Sequence, residues 1–383
     1  MNWLNSRTWK IRTARDLSLI VLLLVAACTT DRTRRGYLRR AAVALAPPER
    51  VVVVIPGFGV TRLLDPVSGT FVWGTPRATM RTRYADDLDL PRPAAGEPRD
   101  RLVPRGYVGS RGPVNVGWQL IEALRKYGGY IPGQSVHPFH YDWRLSARVN
   151  AEALGRLVEE VSAGRKVDVI THSAGAIVAL TWIKLGGGRD RVDRLIMIAP
   201  TQRGVIDAFR IFVRPERFIR RRFEADVVAT WPFVYELFPE DGRFVVDDEG
   251  QRTLFDVWRP ETWPGGSSGL PIAEHVRAGR ALRDELASVP MPPSIQVTTI
   301  AGDCVPTAAR ILRRANGSYV FYPEELTPEE RPLASELFEP GDGTVPVSSA
   351  APDGGAKLFC DGHQGIATDP NVHRALIRVL RGR

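Results

Sequence analysis

The sequence has few of the side chains that bind metals. It contains three cysteines and six histidines among 383 residues, and none of their spacings matches a metal-site pattern. It also lacks the G-x-x-x-x-G-K-[ST] pattern of a phosphate-binding loop. The sequence therefore gives no reason to expect a metal ion or another cofactor.

The N-terminal apolar run is too short to cross a membrane. It covers residues 17–27, whereas a transmembrane helix needs ~20 residues. A basic region precedes it, as in a secretory signal peptide. The run ends in Val25-Ala26-Ala27-Cys28, which resembles a bacterial lipobox. This resemblance predicts a lipoprotein signal peptide over 1–27 and a lipid anchor on Cys28, and ordinary secretion with cleavage nearby is the alternative.

The residue after the cysteine bears on the location. Thr29 stands where an aspartate commonly signals retention in an inner membrane. We therefore expect export from the cytoplasm and lipid anchoring in the cell envelope, at the outer membrane if the host is Gram-negative.

Excess positive charge is nearly absent beyond the first 50 residues. Residues 1–27 carry +3 and residues 28–50 carry +4, so the rest carries only +2 of the total of +9. A nucleic-acid surface needs its charge on the folded domain, so this distribution argues against nucleic acid as a partner. Residues 28–49 are predicted to be a basic tether that holds the protein on an anionic membrane, and a solvated linker is the alternative.

The rest of the chain, residues 50–383, alternates apolar strands with amphipathic helices. Residues 51–55 form an unbroken β-branched run, and residues 118–127 and 147–163 have helical periodicity. Further strands are predicted near 136–139, 167–172, 195–199 and 295–300. This alternation predicts an α/β fold with a mostly parallel sheet and helices on both faces.

The alternation breaks between about residues 203 and 290. Arginines here are interleaved with apolar residues, namely Phe209, Arg210, Ile211, Phe212, Arg214, Arg217, Phe218, Ile219, Arg220, Arg221, Arg222 and Phe223. This mixture favours an inserted cap that lies on a lipid interface and holds an acyl-chain pocket. A helical insertion with solvated arginines is the alternative. Residues 75–112 are predicted to be an irregular surface excursion.

The stretch Thr171-His172-Ser173-Ala174-Gly175 ends a strand and begins a helix. A serine on such a turn is typical of a nucleophile elbow, and the amide of Ala174 is a candidate oxyanion donor. An ordinary serine turn is the alternative, because Thr171 replaces the first glycine of G-x-S-x-G. The turn Pro56-Gly57-Phe58-Gly59 follows the first strand, and the amide of Phe58 is the second candidate donor.

Two later loops carry the partners that a serine nucleophile needs. Asp342 lies in Gly341-Asp342-Gly343, and His363 lies in a glycine-flanked loop after a short strand. An imidazole base activates the serine, and a carboxylate orients the imidazole. Asp303 and Asp361 are rival acids. His172 adjoins the serine, but its side chain is predicted to point away from it. The remaining histidines are predicted to pack or to be solvated: His137, His140, His275 and His373.

Taken together, these segments resemble the lecithin:cholesterol acyltransferase family. The matching pieces, in the family's order, are Val54 to Gly59, Tyr141 to Leu145, Thr171 to Gly175, Ala199 to Thr201 with Gly204, Tyr235 to Pro239, Gly341 to Pro346, and His363. The resemblance implies an α/β-hydrolase fold with a cap and a Ser173, Asp342 and His363 triad. It also implies oxyanion amides from Phe58 and Ala174, and acyl transfer from a lipid ester to an alcohol or to water.

The sequence departs from that family in two places. Thr171 replaces the usual glycine or alanine, and residues 75–112 do not reproduce the disulfide-bounded lid of the animal enzymes. Their substrate and partner specificity therefore does not carry over. Cys304 and Cys360 both follow predicted sheet strands, and a disulfide and two buried thiols both remain open.

The sequence thus predicts a membrane-anchored serine acyltransferase or phospholipase that acts on a membrane lipid. A soluble-substrate serine esterase or amidase, whose cap arginines bind anionic groups, is one alternative. A lipoprotein binding module with a vestigial triad is the other. Protein partners are not indicated.

Overall fold

The computed structural model describes residues 48, 50–81, 88–90, 102–108, 116–214, 216–218, 221–263 and 272–382. In these ranges the strands are β1 (Val52–Ile55), β2 (Thr61–Asp65), β3 (Thr70–Trp73), β4 (Val103–Tyr107), β5 (Val136–Pro138), β6 (Val167–His172), β7 (Val192–Ile198), β8 (Glu216–Phe218), β9 (Arg221–Phe223), β10 (Val245–Val246), β11 (Gln296–Gly302), β12 (Val305–Ala308), β13 (Ile311–Arg313), β14 (Tyr319–Val320), β15 (Phe338–Gly341) and β16 (Lys357–Phe359). The helices are α1 (Pro76–Arg81), α2 (Val116–Gly128), α3 (Ala147–Ser162), α4 (Gly175–Leu185), α5 (Asp207–Val213), α6 (Ala225–Ala229), α7 (Pro232–Tyr235), α8 (Ala273–Ser288), α9 (Ala334–Leu337), α10 (Val347–Ala350) and α11 (Pro370–Leu380). Short 3-10 turns occupy Gly188–Asp190, Pro260–Thr262, Pro323–Glu325 and Arg331–Leu333.

A six-stranded sheet forms the centre, in the order β16-β11-β7-β6-β1-β5. Every neighbouring pair in it is parallel. The predicted parallel α/β sheet is therefore confirmed. All six strands end at the same edge, which is where ligands bind in such sheets.

Helices cover both faces of this sheet, because successive side chains of a strand point to opposite sides. Val53 and Ile55 of β1 lie in one apolar cluster together with residues of α3 and α4. Val52 and Val54 lie in the other, together with residues of α2 and α11. A strand with two covered faces has no polar side, which explains the unbroken valine run.

The segment 60–108 contains regular structure that the sequence reading missed. β2, β3 and β4 form a small antiparallel sheet, and α1 follows β3. The expectation of an irregular excursion over 75–112 is therefore wrong for α1 and β4. Residues 82–87, 91–101 and 109–115 lie outside the described part.

The segment between β7 and β11 contains α5 to α8 and the strands β8 to β10. These strands pair outside the central sheet, and β10 pairs with β13, which follows β11 in the chain. Ile311 and Phe321, which follow β11, accordingly lie in the same apolar cluster as Phe209 and Phe244 of this segment. The predicted cap boundaries of 203 and 290 stay a prediction.

The predicted signal peptide, Cys28 and nearly all of the predicted tether lie outside the described residues. Among the residues that the structure does describe, no helix is both long and apolar enough to span a membrane.

A disulfide joins Cys304 to Cys360, with the two Cα atoms 5.0 Å apart. Cys304 follows β11 and Cys360 follows β16, so the bond links the ends of two adjacent strands. β16 is an edge strand of only three residues. The bond therefore secures a strand that has few ladder hydrogen bonds of its own.

Replacing both of these cysteines, as Cys304→Ser with Cys360→Ser, should lower the free energy of unfolding by about 2–4 kcal/mol, because the bond closes a long loop in the unfolded chain. Denaturant unfolding of both proteins under oxidising conditions measures the difference. A change below ~0.5 kcal/mol would contradict the stabilising role.

Glu236 is a buried carboxyl group that anchors the end of α7. Its Oε2 accepts a hydrogen bond of 2.7 Å from the amide of Ala147, at the start of α3. Burial raises its pKa to about 8, although the Ala147 amide and the Arg283 guanidinium act in the opposite direction. The Glu236 carboxyl group therefore binds its proton more tightly in the folded protein than in the unfolded chain.

Stability should consequently fall as the pH rises from the ordinary glutamate pKa of 4.5 to about 8. Glu236→Gln keeps an acceptor for the Ala147 amide and has no proton to lose. We expect its melting temperature to change less than that of the parent over this window and to be higher at pH 8. Glu285→Gln, at an exposed ion pair, is the matched control and should leave the parent's pH dependence intact.

Candidate active site

Ser173 occupies the turn between β6 and α4 in a strained conformation. Its φ is +55°, a value that side chains other than glycine rarely adopt. Its amide donates to the carbonyl of Ile198 at 2.9 Å, which ties the turn to β7. This strain at the end of a buried strand is the geometry of a nucleophile elbow.

Gly175 permits the elbow to sit against the first strand. A Cβ atom at this position would lie 2.5 Å from the carbonyl oxygen of Pro56 and 2.8 Å from that of Ile55. No side chain fits there, so glycine allows α4 to begin directly beside the end of β1.

The structure brings Ser173, Asp342 and His363 together in one hydrogen-bonded chain. Nε2 of His363 lies 2.8 Å from Oγ of Ser173, and Nδ1 lies 2.8 Å from Oδ2 of Asp342. The carboxylate only accepts, so Nδ1 carries the proton and Nε2 is free to accept the serine proton. This is the arrangement that activates a serine hydroxyl.

The Asp342 carboxylate is held by its own loop as well as by the histidine. Its Oδ1 accepts from the amides of Thr344 at 3.0 Å and Val345 at 2.7 Å. Burial alone would raise its pKa, but His363 and these two amides outweigh burial and lower the pKa below the ordinary value. The group is therefore ionised at neutral pH and keeps the imidazole in its tautomer.

The rival residues lie elsewhere or have other partners. Oδ1 of Asp361 accepts from the amide of Gly362 at 2.8 Å, so this acid shapes the turn before His363. His140 packs edge-on against Tyr107, and burial lowers its pKa to about 4. His373 lies buried in α11 with Nε2 2.9 Å from the Ala367 carbonyl, as a packing histidine would.

His172 has a place in the site that sequence reasoning did not assign. Its Nε2 lies 3.1 Å from the backbone carbonyl of His363, and the two rings are 5.0 Å apart. Burial, together with the nearby His363, lowers its pKa to about 3, so the ring is neutral. Because a carbonyl only accepts, Nε2 carries the proton and donates to the His363 backbone. The ring thus supports the loop that presents the base.

The two candidate oxyanion amides lie on the turns predicted for them. Within the described part of the chain, neither the Phe58 amide nor the Ala174 amide has an acceptor. Gly57 brings the turns together, since a Cβ atom there would lie 2.9 Å from the Cβ of Ser173. Two unused donors beside a nucleophile are the requirement for holding a developing negative charge.

The segment Tyr141-Asp142-Trp143-Arg144 contacts the turn Pro56-Gly57-Phe58-Gly59. Because this turn carries the Phe58 amide, we call it the oxyanion turn. The Tyr141 hydroxyl donates to the carbonyl of Pro56 at 2.9 Å. The Trp143 ring lies edge-on to Phe58, with 4.8 Å between the centroids. The sequence indicates this segment by resemblance alone, and the structure gives the physical reason for Tyr141 and Trp143.

A cavity of about 370 Å³ opens beside Ser173 and His363. Its wall is formed mainly by apolar side chains, among them Trp73, Val108, Ile211, Phe223, Trp231 and Leu237. Several of these come from the segment between β7 and β11. The volume lies in the range of sites for small organic ligands, and the apolar wall suits a hydrocarbon chain.

Two of the arginines between residues 209 and 223 are not simply solvated. Arg210 pairs with Asp207 at 3.0 Å and borders the cavity, and Arg214 pairs with Glu325. The side chains of Arg217, Arg220, Arg221 and Arg222 lie outside the described part. No group of three or more potential metal ligands occurs among the described residues.

Comparison with known proteins identifies a family that matches this chain. A model of the alpha/beta hydrolase family matches residues 105–326, more than half of the chain. This range contains Ser173 but ends before Asp342 and His363. The Tle4–Tli4 complex, a solved structure, superposes with a TM-score of 0.54 at 15% identity, over 88% of this chain and 99% of that one. At this identity the likeness concerns the fold alone.

Two sequence relatives were found. Phosphatidylcholine-sterol acyltransferase from Oryctolagus cuniculus is 25% identical over 352 residues, which is 87% of this chain and 66% of that protein. An uncharacterized protein of Saccharomyces cerevisiae is 27% identical over 183 residues, 46% of this chain and 27% of that protein. The chain thus spans less than two thirds of the length of each.

Removing the hydrogen bond from His172 should impair catalysis. His172→Phe keeps a ring of similar size but loses the donor, so the His363 loop shifts and kcat falls about tenfold to a hundredfold, while KM changes little. His172→Gln retains a donor and should keep most of the activity. Steady-state kinetics on p-nitrophenyl butyrate, with melting curves for both variants, measure this. Equal kcat values for the two variants would contradict the role.

Proposed function

Because the chain belongs to the alpha/beta hydrolase family, we propose that it cleaves lipid esters through a serine acyl-enzyme. The transferred fatty acyl group passes to an alcohol or to water. One observation carries the proposal: His363 bridges the Ser173 hydroxyl and a buried, ionised Asp342 at the edge of an apolar cavity.

In this mechanism Ser173 attacks the ester carbonyl while Nε2 of His363 takes its proton. The negative charge that develops on the carbonyl oxygen is held by the amides of Phe58 and Ala174. Asp342 stabilises the imidazolium that forms. His363 then protonates the departing alcohol and leaves an acyl group on Ser173.

The second half of the reaction repeats these steps with a new nucleophile. His363 removes a proton from an incoming alcohol or water, which attacks the acyl-enzyme. The cavity wall supplies an apolar surface for the acyl chain during both steps. Whether transfer or hydrolysis dominates depends on how well this site excludes water.

The proposed substrate is a glycerophospholipid or a related lipid ester. It rests on the apolar cavity, on the similarity to a phosphatidylcholine-sterol acyltransferase over 87% of the chain, and on the motifs shared with that family. We further propose that residues 203–290 form the cap and that Cys28 carries a lipid anchor. With its basic tether, this anchor would hold the exported protein on a cell-envelope membrane.

The test uses the full chain and its Ser173→Ala variant, incubated with phospholipid vesicles that are labelled in the acyl chains and contain a sterol or a long-chain alcohol. We expect the parent to form a labelled ester, free fatty acid or both, and the variant to lose activity by about three orders of magnitude or more. Labelled ester would identify an acyltransferase, and fatty acid alone a phospholipase.

Two results would contradict the proposal. Parent activity no higher than that of Ser173→Ala on lipids, but higher on soluble esters, would favour a soluble-substrate esterase. No difference on either substrate, and no labelling of Ser173 by a fluorophosphonate, would favour a binding module.

A further inference from the structure

The edge of the central sheet opposite Ser173 is positively charged. All six strands are parallel, so their first residues share this edge. The turns into β1, β6 and β7, together with the first residues of these strands, form what we call the basic edge. It contains Arg50, Arg165, Lys166, Arg189, Arg191 and Arg194.

Acidic side chains neutralise only part of this charge. Arg50 pairs with Asp193 at 3.2 Å, and Arg194 pairs with Asp168 at 3.3 Å. The other four have no ion-pair partner among the described residues. Asp190 is a further acid in these turns, and Glu49, next to Arg50 in the sequence, lies outside the described residues. Among the described residues the basic edge therefore carries six positive groups against three negative ones, or four with Glu49, whereas residues 51–383 as a whole carry only +2.

A small cavity of about 230 Å³ lies within the basic edge. It is lined by Arg50, Val51, Ser162, Arg165 and Lys166. The Arg165 and Lys166 side chains are exposed, and Ser162 is buried. Oγ of Ser162 accepts from the amide of Gly164 at 3.3 Å, so its own proton remains available to a ligand. Two guanidinium groups, an ammonium and a hydroxyl are the donors that bind a phosphate.

The position at which the chain enters the fold indicates that a phosphate bound in this cavity would belong to a membrane lipid. The predicted tether enters the fold at Arg50, which is part of the cavity wall. Its 22 residues reach at most about 75 Å. A lipid on Cys28 would therefore keep the fold near the membrane, with the chain leaving from the basic edge. The excess positive charge there complements an anionic lipid surface.

We propose that the basic edge docks on anionic phospholipid headgroups, with one lipid phosphate in the cavity formed by Arg50, Arg165 and Lys166. The proposal rests on the lipid anchor of the proposed function but not on the catalytic assignment, since it concerns the opposite edge of the sheet. The docked protein has its candidate active site on the side away from this contact, so the lipid ester of the proposed function would reach it from a second, facing lipid surface and not from the bilayer on which it docks.

The experiment measures sedimentation of the full chain, carrying Cys28→Ser, with vesicles of phosphatidylcholine alone or with phosphatidylglycerol added. The doubly substituted variant Arg165→Gln with Lys166→Gln should bind the anionic vesicles about tenfold to thirtyfold more weakly than the parent, since each basic group near such a surface contributes ~1 kcal/mol. Its binding to phosphatidylcholine alone should not change. The N-terminal apolar run is present in every variant, so its contribution to vesicle affinity is the same in each and does not affect the comparison.

Two further variants separate the cavity from general charge. Arg156→Gln with Arg277→Gln removes the same charge from exposed helix surfaces and should weaken binding less than threefold. Arg165→Lys with Lys166→Arg keeps the charge and should bind like the parent. The proposal is wrong if the two charge-removing variants lose equal affinity, or if the parent does not prefer anionic vesicles. Melting curves and p-nitrophenyl butyrate turnover verify that each variant is folded.

Discussion

The positive φ of Ser173 is the constraint on which the candidate active site depends. The chain must leave β6, turn at Ser173 and begin α4 at Gly175. The turn must also lie beside the ends of the neighbouring strands β1 and β7. The strain is of order 1–3 kcal/mol. It is held by the bond from the Ser173 amide to β7 and by the contact of Gly175 with the end of β1. The oxyanion turn then rests on the same strand end.

The base, His363, follows a part of the central sheet that has few backbone hydrogen bonds. His363 follows β16, an edge strand of three residues with a neighbour on one side only. Several local contacts compensate: the disulfide to the end of β11, the bond from the His363 amide to the Asp342 carbonyl, and the His172 donor. The imidazole position is therefore a joint property of four chain segments.

Patterns within short segments were readable from the sequence. The β-branched run of β1, the helical periodicity of α3 and the strand-serine-glycine stretch each depend on neighbours in sequence, so the parallel sheet and the elbow followed from them. Loop position and the family resemblance favoured Asp342 as the partner of His363. Its geometry required the fold, because the two residues belong to different loops.

Features that depend on distant contacts were not readable in this way. β4 carries Pro104 and Gly106, which disfavour a strand, and it forms because β2 offers it an edge. The role of His172 depends on a backbone carbonyl 191 residues away. The disulfide between Cys304 and Cys360 remained open for the same reason, since spacing alone does not fix whether two strand ends are adjacent.

In a parallel sheet, the first residues of all strands lie at one edge and the last residues at the other. Charges at the two edges are therefore separated by the length of a strand. β7 has seven residues, which at about 3.3 Å each place its ends roughly 20 Å apart. The Debye length in physiological salt is only about 8 Å. Charges on the basic edge are therefore far from the imidazole of His363, and salt around these exposed groups further weakens their effect on it. The charge at one edge can change, by mutation or by bound counter-ions, without retuning the proton transfers at the other.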